Sequence, residues 1–186
     1  MKRFFDILLA CILIFILLFP LAIIWLCVVL TSEGPGFYKS KRVGFNGKIF
    51  IMIKFRTMYL GTPEIETESF KNANKFVTPF GLFLRKSSLD EFPQLWNILL
   101  GHMSFVGPRP ALYNQFELIK LRKANGVDQI LPGLSGWAQI NGRDDLSMLD
   151  KLNFDIEYLK KRSFFFDLKI IFLTFLKIIE FRGIKH

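Results

Sequence analysis

The sequence predicts a mainly α fold with a small β-hairpin. A re-entrant N-terminal membrane helix (residues 1–32) leads into a compact α/β domain (33–186) that carries interfacial amphipathic helices. Three observations predict it. No charged residue occurs from Ile7 to Leu30, one Asn-Gly turn signal sits inside the alternating stretch 36–58, and helix-start and helix-stop signals punctuate the remainder.

The apolar run comes first. As a helix, Ile7–Leu30 is about 36 Å long at 1.5 Å per residue, enough to cross a bilayer. It ends in Thr31-Ser32-Glu33-Gly34-Pro35-Gly36 without a small-residue cleavage site, so it reads as a retained anchor. From length alone, a plain span and a helix that enters and turns back are both admitted. Two features point to the second. Pro20 removes a backbone hydrogen bond near the middle and kinks the helix there. Lys2 and Arg3 precede the run while Lys39, Lys41 and Arg42 follow it, whereas a span concentrates its basic flank on one side.

The hairpin follows, with Asn46-Gly47 as its two-residue turn. In its second strand Ile49, Ile51, Ile53 and Phe55 share one face and Lys54 and Arg56 the other, because side chains alternate. Residues 61–74 read as an exposed polar loop. Thr78-Pro79 opens a helix, with Thr as cap and Pro at the first position. Ser88-Leu89-Asp90-Glu91 matches a capping box opening a helix to Leu100. Pro110 opens another, ending near Asn125-Gly126, and the Gly-rich stretch 131–143 reads as a loop. Helices over about 147–161 and 164–182 close the chain. The last is apolar yet carries Asp167, Lys169, Lys177 and Glu180, a pattern that suits the membrane interface.

Composition narrows the partners. The formal net charge is +9 and the chain holds 22 Phe. A basic balance suits nucleic acid, an acidic membrane or a phosphorylated substrate. Cys11 and Cys27 share the apolar run, roughly 24 Å apart on a straight helix, too far for a disulfide. No zinc-site spacing occurs.

The chemistry concentrates in a few strings. In LRKSSLDEFPQLWNIL the adjacent carboxylates Asp90 and Glu91 admit two readings. They complement the dipole of a helix start, or they pair a nucleophile with a metal-binding or proton-handling partner. Arg109 stands between prolines in GPRP, and Arg143 closes PGLSGWAQINGR. Each alone reads as a surface arginine. With Lys54 and Arg56 they are the residue types a diphosphate site requires, since guanidinium forks pair with phosphate oxygens.

KFRTM, SSLDEFPQL, MSFVGPRP, PGLSGWAQINGR and FDIEYLKKRSFFFDLKI occur in that order. Together they resemble the bacterial sugar transferase family, the small monotopic phosphoglycosyl transferases similar to the PglC type, over nearly the whole chain. The resemblance implies that 33–186 is a catalytic domain on the cytoplasmic face of the bacterial inner membrane. It implies that Asp90 is a nucleophile and Glu91 its partner, with Mg²⁺ held by the two. It implies a UDP-sugar donor, a polyprenyl (undecaprenyl) phosphate acceptor, release of UMP and a covalent phosphosugar-aspartate. Arg109, Arg143, Lys54 and Arg56 become candidates for substrate phosphate. Asp155 and Tyr158 match a family Asp-x-x-Tyr pattern, for which a buried hydrogen bond that orients helices is an equal reading.

The chain departs from the family pattern twice, with Phe19 where members carry Ser before the membrane proline and His102 where they carry Asp. Neither touches the Asp-Glu pair. A lipid-binding anchor module explains the charge but not that pair or the Pro-Gly-Arg loops. No zinc-finger spacing or RNA-recognition signature speaks for nucleic acid. Asp-x-Asp, Walker and dinucleotide fingerprints are absent. The sugar and the oligomeric state are not legible.

Overall fold

A computed structural model describes residues 1–63, 73–142 and 146–179. It is mostly helical with a small sheet. The first helix, α1 (Lys2–Thr31), is the one described helix long and apolar enough to cross a membrane, with a mean hydropathy of 3.3. Helical conformation continues through Pro20 rather than stopping there. A proline in a helix costs one hydrogen bond and a local clash, which bends the rod without dividing it.

Both ends of α1 are tied to the same domain. Near its start Lys2 Nζ donates to Asp167 at 2.5 Å, Val106 O at 2.9 Å and Tyr158 Oη at 3.0 Å. Arg3 donates to Ile98 O and Leu99 O at 2.5 and 2.8 Å. Asp6 is buried and accepts from Ser104 Oγ and Phe105 N, each at 3.1 Å. Near its finish Val28 packs with Phe55 and Leu84. The middle carries exposed Phe15, Ile16, Leu18 and Phe19, the last 75% exposed.

Strands β1 (Phe37–Val43) and β2 (Ile49–Phe55) form the hairpin, and β4 (Ala111–Leu112) adds to the outer edge of β1, giving the order β2-β1-β4. Asn46 and Gly47 take the two central turn positions, both at positive φ (52° and 72°), and Lys48 N closes the turn onto Phe45 O at 3.1 Å. Asn and Gly accept the left-handed region that other residues resist. Alternation along β2 buries Phe50 and Met52 and leaves Ile49 and Ile51 exposed. The inward face is therefore the one that carries Lys54. Asn97, itself buried, occupies the free edge of β2, donating to Ile51 O at 2.7 Å and accepting from Ile53 N at 3.1 Å. That pairing satisfies backbone groups an edge strand leaves open.

The later elements are α2 (Pro79–Lys86), α3 (Gln94–Leu99), β3 (Ser104–Val106), α4 (Phe116–Ala124), β5 (Gly133–Ser135), α5 (Trp137–Ile140), α6 (Met148–Lys161) and α7 (Phe164–Ile179). Thr78 caps α2 through Gly81 N, and Ser147 caps α6 through Asp150 N. Strands β3 and β5 pair in parallel. The main core joins Ala10 of α1, Phe50 and Met52 of β2, Leu95 and Ile98 of α3, Val106 of β3 and Ile170 of α7.

Three expectations need correction. Ser88 is not the cap of a helix that runs to Leu100. It lies at φ 56° and its side chain caps nothing. It follows the end of α2, where Ser88 N bonds Arg85 O, and it takes the left-handed conformation that stops that helix. Asp90 and Glu91 consequently sit on a short 3₁₀ turn, Leu89–Glu91, ahead of Pro93 and α3. Pro110 precedes strand β4 rather than opening a helix, and α4 begins only at Phe116. The stretch 131–143 holds β5 and α5 rather than loop alone. Residues 64–72 of the expected polar loop lie outside the described residues.

Candidate active site

Two elements converge on the Asp90-Glu91 turn. From β2, alternation turns Lys54 inward. From the loop between β3 and β4, Arg109 arrives between Pro108 and Pro110, whose rings restrict the backbone. Glu91 Oε1 accepts from Lys54 Nζ at 2.7 Å and from Arg109 Nη2 at 3.1 Å. Asp90 and Glu91 are both buried, 7% and 8% exposed, so their charges depend on these cations rather than on water. Burial holds the Lys54 ammonium below its ordinary pKa, Arg109 pushes the same way, and the Glu91 and Asp90 carboxylates oppose both.

Arg109 is held from behind. Its carbonyl accepts from Arg122 Nη1 at 2.7 Å, and Arg122 Nη2 and Nε donate to Asp155 Oδ2 at 2.6 and 3.0 Å. Burial raises the Asp155 pKa while Arg122 counters it. Arg42 Nη1 fixes the same loop through Pro110 O at 3.2 Å. The line Asp155–Arg122–Arg109–Glu91 thus joins α6, α4, the Pro-Arg-Pro loop and the 3₁₀ turn.

Two clefts meet here. One, of about 270 Å³, is lined by Tyr38, Arg42, Lys54, Arg85, Asp90 and Arg109. The other, of about 190 Å³, is mostly apolar and is lined by Glu91, Phe92, Phe105, Ile140, Ile171 and Arg109, among others. Arg109 borders both. A diphosphate suits the first, where guanidinium and ammonium groups surround a carboxylate.

Of the residues expected at the site, Lys54, Asp90, Glu91 and Arg109 come together. Arg143 lies outside the described residues. Arg56 borders the polar cleft, but its donors go to the end of α1: Nη2 to Ser32 O at 2.7 Å and Ser32 Oγ at 2.9 Å, and Nη1 to Glu33 O. Those carbonyls lack helical partners, which makes them good acceptors for a guanidinium. Asp155 sits behind the site. Tyr158 donates to Asp167 Oδ1 at 2.7 Å, within the cluster that holds Lys2, and burial together with Asp167 pushes its phenol pKa up. Pro20 is remote in α1, and His102 packs its ring against Phe50.

Sequence reasoning missed Arg42, Arg85 and Arg122. Arg85 stands five residues before Asp90, with α2 and its left-handed stop bringing it to the cleft, and Arg42 was legible only as part of a basic flank. Nothing local marked Arg122, whose partner lies 33 residues away.

A family model described as bacterial sugar transferase matches residues 1–181. The chain is 40% identical to the uncharacterized sugar transferase EpsL of Bacillus subtilis (strain 168), over all of this chain and 91% of that one. It is 40% identical to the UDP-glucose:undecaprenyl-phosphate glucose-1-phosphate transferase of Escherichia coli (strain K12), over 95% of this chain and 40% of that protein. It is 38% identical to the undecaprenyl-phosphate galactose phosphotransferase of Salmonella typhimurium, over 94% of this chain and 39% of that protein. The chain therefore spans nearly all of EpsL and about two fifths of the two relatives whose names state a reaction.

Proposed function

Since the chain belongs to the bacterial sugar transferase family, we propose that it moves a sugar-1-phosphate from a UDP-sugar to polyprenyl (undecaprenyl) phosphate and releases UMP. The observation that carries this reading is the buried Asp90-Glu91 pair, set where Lys54 and Arg109 converge and where a cationic cleft meets an apolar one.

The polar cleft receives the UDP-sugar, its diphosphate facing Lys54, Arg85 and Arg109. An Asp90 carboxylate oxygen attacks the sugar-side phosphorus. The bond from that phosphorus to the bridging oxygen breaks, and UMP leaves with the electron pair. This leaves a phosphosugar ester on Asp90. A polyprenyl phosphate oxygen then attacks the same phosphorus, and the carboxylate departs from it as polyprenyl diphosphate-sugar forms. Glu91 holds Lys54 and Arg109 at the position where phosphate charge gathers, so the site arrives organised rather than reorganising at each turnover. Arg56 serves the end of α1 and is not assigned to phosphate.

Mg²⁺ fits the donor set. Among the described residues no cluster of three or more His, Cys, Asp and Glu forms a protein cage. Magnesium commonly takes one or two carboxylates and completes its shell with water and substrate phosphate. Asp90 and Glu91 would hold it, and its charge would offset that of the diphosphate. EDTA should therefore abolish turnover and Mg²⁺ restore it. Full turnover by metal-free enzyme would remove the metal from the mechanism.

Arg109→Ala should lower kcat/KM by about 10²–10³-fold, the scale of losing one transition-state donor, roughly 2–4 kcal/mol. Steady-state kinetics on the purified variant checks it.

We also propose that α1 enters the cytoplasmic leaflet of the inner membrane and returns to the same side, bending at Pro20. The support is that Lys2, Arg3 and Asp6 at one end, and Val28 and Ser32 at the other, all engage the one domain, while the exposed apolar middle faces away. A cysteine placed at residue 2, with Cys11 and Cys27 replaced, should react with an impermeant thiol reagent only when the cytoplasmic face is open. Labelling from the periplasmic side of intact cells would establish a span instead.

The reaction is tested by incubating purified membranes with a UDP-sugar panel and polyprenyl phosphate, starting with UDP-glucose and UDP-galactose, the sugars of the two named reactions. UMP is the expected nucleotide product. UDP would indicate glycosyl transfer and refute the reading.

A further inference from the structure

We propose that the apolar cleft beside Glu91 receives the first isoprene units of the acceptor, and that α7 is the wall along which that chain arrives from the bilayer. This rests on the phosphoglycosyl transferase reading above and adds where the lipid lies. The cleft is about 190 Å³, far too small for a whole polyprenyl chain, so it holds only the units nearest the phosphate.

Three observations carry the assignment. The first is polarity. Phe105, Leu134, Ile140, Ile171 and Ile178 supply the walls. Of the three hydroxyl side chains in the lining, two are spent on each other, Ser135 Oγ lying 2.5 Å from Thr174 Oγ1, which also donates to Ile170 O, while Ser88 and Gln139 add polar groups. A lining supplied mostly by large apolar side chains suits a hydrocarbon better than a sugar or a base. The second is continuity. Ile171, Thr174 and Ile178 recur at helical spacing and face the cleft, while Phe172 and Leu176 on the other side of α7, and Phe175 on its flank, are exposed. One helix thus offers an apolar surface both to the bilayer and to the cleft, and the lipid need not cross water. The third is charge. Arg109 stands at the inner end, shared with the polar cleft, and Lys177 lines the cleft from α7. An anionic head on an apolar tail matches that order.

The geometry also suits the sequence of events. After UMP leaves, the acceptor phosphate takes its place against Arg109, in line with the bond to Asp90. An oxygen of that phosphate bonds to the phosphorus, and the bond from phosphorus to the Asp90 oxygen breaks, with the electron pair returning to the carboxylate. The nucleotide and the isoprenoid never compete for the same walls.

The test separates the two half-reactions of the full-length enzyme in detergent micelles. UMP released in a burst without acceptor reports the first, and transfer of labelled sugar to undecaprenyl phosphate reports the second. Ile171→Trp and Ile178→Trp should keep the burst within about twofold and slow transfer by about tenfold or more, the range of a mismatched apolar pocket. Unaltered transfer by both variants overturns the proposal and leaves the cleft to bilayer phospholipid. No burst from the wild type refutes the covalent route itself. A second arm needs no variant. A short polyprenyl phosphate with a diazirine in its second isoprene unit should label α7 or β5 of the wild-type enzyme. Labelling confined to Tyr38 and Tyr59 in the polar cleft would overturn the assignment.

Discussion

Asp90→Asn should leave the protein folded and lower turnover by about 10⁴-fold or more, the scale on which removal of a covalent nucleophile is felt. Asn has the size and shape of Asp and keeps hydrogen-bonding capacity, so the 3₁₀ turn Leu89–Glu91 has no steric reason to change. An amide, however, has no anionic oxygen with which to attack phosphorus. The loss should fall on the first half-reaction and abolish the UMP burst. Binding of the UDP-sugar should persist, since Lys54, Arg85 and Arg109 remain in the cleft with one negative charge fewer to oppose the diphosphate. Turnover is checked by UMP release, and binding by titration with the donor. Substantial turnover by Asp90→Asn would take the nucleophile's role from this residue.

Asp155→Ala carries the largest expected cost in stability. Asp155 is 1% exposed and Arg122 is 9% exposed, and the carboxylate accepts two bonds from the guanidinium. Removing the carboxylate leaves a buried cation with a single carbonyl partner in Arg109 O. Breaking a buried pair on one side costs about 3–5 kcal/mol, because the remaining charge stays out of water uncompensated. For a chain of this size that is a fall in Tm of about 6–20 °C. Replacing both partners by apolar residues, as in Asp155→Leu with Arg122→Met, should recover most of the stability, because no unpaired charge is left. The double variant should still be slow, since the bond from Arg122 to the Arg109 carbonyl is then lost. A melting temperature equal to wild type for Asp155→Ala would show that the pair does not hold α4 to α6.

How much of this was legible beforehand depends on the range of the physics. Strictly local signals read well. Asn46-Gly47, Thr78-Pro79 and the helix starting near residue 147 each state their geometry within four residues, and the structure places them accordingly. The capping-box reading of Ser88 failed because the same residue also had to terminate α2, and the left-handed stop won. Strands β3 and β5 are three residues each and pair across nearly thirty residues, too short for alternation to register. The inward face of β2 was a tertiary choice. Alternation told which residues share a side, and the core chose Phe50 and Met52 over Ile49 and Ile51. Arg56 shows the same limit, since a guanidinium beside a cleft and one on a helix terminus look alike in a string of letters. The Asp90-Glu91 pair was legible through its neighbours in the ordered motifs. Its burial and its two cations required the fold.

The intact mass of the wild-type protein after incubation with UDP-sugar and no acceptor tests the central claim most directly. A fraction of the protein should be heavier by one phosphosugar, should lose that mass when polyprenyl phosphate is added, and should be missing from Asp90→Asn. An unmodified mass, with UMP released only when polyprenyl phosphate is present, would contradict the covalent route and point to direct transfer between the two substrates.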